Sequence, residues 1–119
     1  MLDAKVVRES IKEGDRIFSA LYFELRNACI LFLSEEEDSL GTVAVSLPPR
    51  GRRIGPSTSS VLLGDRNIIV ARLLAERLAN MVGKIALVSV FTRTAKERDV
   101  SPVFLKLIEK VITKREESR

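Results

Sequence analysis

The chain has 119 residues, 45% of them hydrophobic and 30% charged, with no His, no Trp and one Cys. Its length suits one domain with a real core, spanning residues 1–119. The absence of His removes Ser-His-Asp catalysis and the commonest metal ligand, and a lone Cys rules out an intrachain disulfide and a Cys-based zinc site. The net charge of +4 and pI near 9.6 permit nucleic-acid binding without requiring it. The N-terminus lacks the apolar stretch of a signal peptide. The longest apolar runs, residues 28–33 and 85–88, fall far short of the ~20 residues of a membrane helix. The expectation is a soluble, cytoplasmic protein.

Residues 6–12 read as a first strand, ended by Gly14 and Asp15. Residues 16–26 alternate, with Ile17, Leu21, Phe23 and Leu25 on one side and Phe18, Ala20, Tyr22, Glu24 and Arg26 on the other. That period marks a half-buried strand. Arg26 and Asn27 make a turn, and the apolar run 28–33 follows as the second arm of a hairpin. This run holds Cys29, which reads as a buried structural thiol, because nothing nearby would make it a thiolate.

Residues 34–39, Ser-Glu-Glu-Glu-Asp-Ser, read as a solvated charged turn and not as a cation site, since ordered ligand spacing and a loop glycine are missing. Residues 41–47 alternate again: Val43, Val45 and Leu47 against Thr42, Ala44 and Ser46. Pro48 and Pro49 stop this strand. A loop to about residue 60 carries Arg50, Arg52 and Arg53. Guanidinium groups suit carboxylates or phosphates, so these three are candidate partner-binding residues.

Residues 61–63 make a short strand, and Gly64 breaks it. Asp65 is the expected N-cap of a helix over residues 66–82, with Val70, Leu73, Leu74, Leu78 and Met81 on its buried stripe and Gly83 as its stop. Ile68 and Ile69 widen that stripe beyond what one sheet needs, which makes them candidate partner contacts. Residues 84–91 read as an apolar central strand and residues 92–99 as a charged connection. Ser101 and Pro102 are the expected start of a second helix, with Phe104, Leu107, Ile108 and Val111 along one face. Residues 114–119 are all charged or polar and are expected to fray. The order β-β-β-β-(β)-α-β-α argues an α+β fold: an antiparallel sheet of about six strands with two helices packed on it.

Glycines 51 and 55 do not form a phosphate loop, because no Gly-Lys-Ser/Thr ending opens a helix. No cofactor or metal site is expected, and enzymatic activity is not expected either. Ser57-Thr58-Ser59, Leu62-Leu63-Gly64-Asp65 and the helix through Leu74-Ala75-Glu76-Arg77-Leu78-Ala79 to Lys84 resemble the proteasome assembly chaperone 3/4-like family. The likeness covers residues 18–91 and is strongest over 56–91. It implies a small α+β fold with an antiparallel sheet, no catalysis, and dimers, either of one chain or of two related chaperones. It also implies binding to proteasome α-type subunits during ring assembly. The basic loop at Arg50–Arg53 and the apolar helix start Ile68-Ile69-Val70 depart from that family. Glu117-Ser118-Arg119 lacks a hydrophobic-tyrosine ending, so docking by a C-terminal tail is not expected. Other readings of the same sequence are an interaction module of a different complex and, less simply, a nucleic-acid-binding protein.

Overall fold

A computed structural model describes residues 5–49 and 58–117. Its elements run β1 (Lys5–Glu13), β2 (Arg16–Glu24), β3 (Ala28–Glu35), β4 (Thr42–Ser46), β5 (Ser59–Leu63), α1 (Ile68–Val82), β6 (Ile85–Phe91) and α2 (Glu97–Glu117). The strands form one sheet in the order β1-β2-β3-β6-β4-β5. β6 is central, as its apolar composition implies.

The α+β class and the element order agree with the sequence reading, but the sheet is mixed and not antiparallel. β3 runs parallel to β6, with Leu31 opposite Val88 and Leu33 opposite Val90. The cause is α1. β4 is antiparallel to both β5 and β6, so β5-α1-β6 is a crossover that returns the chain in its original direction.

Both helices lie on one face of the sheet. The core joins Phe18, Tyr22, Leu31, Ala44 and Val88 from the strands to Leu74 and Leu78 of α1 and to Phe104, Leu107 and Ile108 of α2. Phe18 and Phe104 meet edge to face with ring centroids 5.7 Å apart, a geometry that the ring quadrupoles favour. Burial decides the faces that alternation left open: Phe18, Ala20, Tyr22 and Glu24 of β2 face the helices, as do Thr42, Ala44 and Ser46 of β4.

The helix starts differ from the sequence reading. Asp65 does not cap α1, which begins at Ile68 after Asn67 in left-handed conformation, φ 60°. The Asn67 amide donates to Thr92 Oγ1 at 2.9 Å instead of capping. Glu97 does the capping, since Val70 N–H donates to its Oε2 at 2.8 Å. A tertiary cap of this kind has no local signature. Gly83 does end the helix, at φ 75°, with its N–H donating to Ala79 O at 2.8 Å. Leu73 and Met81 are exposed, so the buried stripe is narrower than expected.

α2 starts at Glu97, about one turn before Ser101, and Pro102 lies inside it. Val100 extends the apolar stripe backward from Phe104 by four residues and is fully buried, so packing holds a turn that proline would otherwise end. Nor does the helix fray at Lys114: it continues to Glu117, and Arg115 is buried.

Candidate protein-interaction interface

Among the described residues, no helix covers the other face of the sheet. The molecule measures 42 × 31 × 21 Å, and its short axis matches one sheet layer plus one helix layer at ~10 Å each. Phe23, Ile30, Leu87 and Val45 stand side by side across β2, β3, β6 and β4 on this uncovered face. The neighbouring row begins with Leu21 opposite Phe32. All six are partly accessible to solvent. Phe23 and Phe32 meet edge to face at 6.3 Å.

One end of this face is closed by the β3–β4 connection, whose polar anchors rise from the sheet. Ser19 Oγ donates to Asp38 Oδ1 at 3.0 Å, Ser39 N–H donates to Ser34 Oγ at 3.0 Å, and Gly41 N–H donates to Ser89 Oγ at 2.8 Å. Arg8 pairs with Asp38 at 2.7 Å. The Arg8 guanidinium, with help from Ser19 and against a smaller effect of burial, lowers the Asp38 carboxyl below its ordinary range. Gly41 is needed because a Cβ there would lie 2.1 Å from the Val90 carbonyl oxygen. The remaining open area is the apolar part. The apolar row spans four strands, β2, β3, β6 and β4; at ~4.8 Å per strand and about five residues of ~3.3 Å, it presents roughly 19 by 17 Å. A contiguous apolar row of that size makes this face a candidate interaction site.

Two buried carboxylates fix the elements behind this face. Glu24, at the end of β2, accepts from Arg115 Nε and from Arg115 Nη2 at 3.0 Å. Lys84 Nζ reaches the same carboxylate at 2.6 Å, and Tyr22 OH donates to it at 2.9 Å. Burial pushes the Glu24 carboxyl up, but bonds from Arg115, Lys84 and Tyr22 outweigh it and hold it at about 2. Burial, assisted by the nearby Cys29 and Glu24, raises the Tyr22 phenol well above its ordinary value. The bond to Glu24 raises the Arg115 guanidinium against the opposing effect of burial. Glu35, at the end of β3, accepts N–H bonds from Arg93, Thr94 and Ala95 at 2.8, 3.1 and 3.0 Å. Burial opposes the charge of Glu35, yet these bonds lower its carboxyl below the ordinary value. Burial pushes the Cys29 thiol up to about 11. These groups are structural in geometry: each carboxylate is saturated by partners and none faces an open cleft.

Of the candidate residues, Arg50, Arg52 and Arg53 lie outside the described residues. Ile68 and Ile69 sit in the first turn of α1, 36% and 66% exposed, on the helix layer and away from the uncovered sheet face. The structure therefore does not bring them together with that face. The Ser34–Ser39 turn is not a simple solvated tip: Glu35 is 1% exposed. The sequence does carry a signal for the open face. β2 and β3 are apolar on both sides, which calls for cover on both faces of the sheet, and both helices lie on one of them. Among the described residues, no helix is long and apolar enough to cross a membrane.

The fold is a two-layer α+β arrangement with a partly accessible apolar row on the sheet face opposite the helices. No family model matches the sequence, and no curated protein does. Among solved structures, the chain is similar to a chain from a novel chaperone complex for yeast 20S proteasome assembly, with a TM-score of 0.69 and 13% identity over 96% of both chains. At that identity, the likeness establishes a shared fold.

Proposed function

We propose that this protein is a non-catalytic, cytoplasmic chaperone of proteasome assembly. It acts as a homodimer joined through the uncovered sheet faces and binds α-type subunits during ring formation. The observation that supports this reading most is a fold shared end to end with a chain of the yeast assembly-chaperone complex. The residues of the 56–91 segment support it independently. The occupant of the sheet face is a second copy for a physical reason. An apolar row four strands wide, corrugated by Phe and Leu side chains, offers the core of a self-complementary twofold contact, with the edge strands as its rim. Face-to-face packing of two such sheets, ~10 Å apart, would bury the Phe23–Phe32 pair in a sandwich core.

Purified chain, mixed with purified proteasome α-type subunits, is expected to co-elute with them in size-exclusion chromatography. If dimers form but no α subunit is retained, the proteasome reading fails, and an interaction module of another complex takes its place. Retention of RNA or DNA that is strong at low salt and steeply salt-dependent would instead favour the nucleic-acid reading.

A further inference from the structure

The helix layer carries a second surface, unrelated to the sheet face. The starts of α1 and α2 leave a groove of about 580 Å³ between them. Its α1 wall presents Ile69 and Leu73, which stand one turn apart and are 66% and 56% exposed. Side chains at this spacing share a helix face and offer one continuous apolar wall. The α2 side presents Lys96, Arg98 and Ser101.

The groove is shallow and open, and its two sides are held together. Val70 N–H donates to Glu97 Oε2 at 2.8 Å, which ties the start of α2 to the first turn of α1. The same bond turns the Glu97 carboxylate inward. Arg98 lies 3.8 Å from Asp99, with both side chains mostly exposed, a pairing of little worth in water. The rim is therefore cationic and the wall aliphatic.

We infer that this groove docks an acidic amphipathic helical segment of a partner protein. Two aliphatic side chains one turn apart would fill the space against Ile69 and Leu73, and carboxylates would meet Lys96 and Arg98. A second copy of this chain fits poorly in a symmetric contact, which would set Lys96 and Arg98 close to their own counterparts. No aromatic residue lines the groove, so it lacks the stacking platform that single-stranded nucleic acid uses.

The test uses the full-length protein with methyl-labelled Ile and Leu, titrated with short synthetic helical peptides. One peptide carries Leu at i and i+4 flanked by Glu, the second carries the same Leu pattern flanked by Lys, and the third is the acidic peptide with Ser for both Leu. The acidic Leu peptide is expected to shift the Ile69 and Leu73 methyl signals, and the other two are expected to bind more weakly. Reversing the rim with Lys96→Glu and Arg98→Glu should weaken the acidic peptide about fivefold, the scale of two exposed ion pairs, and favour the Lys peptide. Leu73→Ser removes an exposed side chain, so it should leave the melting temperature unchanged while abolishing binding. Equal binding of the acidic and Lys peptides, or of the acidic peptide with and without Leu, overturns the proposal. So do Ile69 and Leu73 signals that move only with protein concentration, which would assign the groove to a copy–copy contact.

Discussion

Glu24 shows how a few side chains hold this fold together. It joins β2, the start of β6 through Lys84 and the end of α2 through Arg115, three segments distant in sequence. Removing one partner of a buried ion pair strands the others, at about 3–5 kcal/mol. Glu24→Gln is therefore expected to lower unfolding free energy by about 3 kcal/mol, measured by urea denaturation. Its folded value of about 2 lies below the ordinary 4.5, and Glu35 is displaced in the same direction. The stabilisation Glu24 gives is present above pH 4.5 and is lost as the pH falls towards 2, and that of Glu35 is lost in the same direction. A pH series of thermal melts should show that decline, and Glu24→Gln should flatten it. Cys29 offers a second check at this scale. Buried and raised to about 11, it should resist thiol reagents at neutral pH until the protein unfolds; rapid labelling of the native protein would contradict its placement.

At the scale of elements, two glycines separate two physical demands. Gly83 has φ 75° and open space where a Cβ would go, so Gly83→Ala should cost only the left-handed penalty, about 1 kcal/mol by chemical denaturation. At Gly41 a Cβ would strike backbone at 2.1 Å, so Gly41→Ala should destabilise well beyond that and loosen the β3–β4 connection. Equal effects of the two substitutions would argue against the close approach. The Gly83 stop was legible in the sequence because it is local, as were the strand alternation and the α2 stripe from Phe104 to Val111. What was not legible came from far along the chain. Glu97 caps α1, Val100 carries α2 past Pro102, and Glu24 holds Arg115 in a tail that reads as solvent-loving. The parallel β3–β6 pairing was implicit in a helix lying between two strands, but which strand β6 would join was not.

For the whole molecule, the decisive feature is a two-layer fold with one apolar sheet face left open. The apolar composition of both sides of β2 and β3 announced that face, whereas its location needed the helices placed. Ile68 and Ile69 were legible as exposed apolar residues, but they belong to the opposite layer. Phe32→Glu places a charge on the open face and gives up the ring contact with Phe23 but none with the helix-side core, so the variant should fold and fail to self-associate. The most direct measurement is the light-scattering mass of the wild type and Phe32→Glu at micromolar concentration. The expected masses are twice the 13.3 kDa of the chain for the wild type and 13.3 kDa for the variant. A monomeric wild type, or a variant that stays dimeric, would contradict the assignment of the open sheet face as the interface between copies.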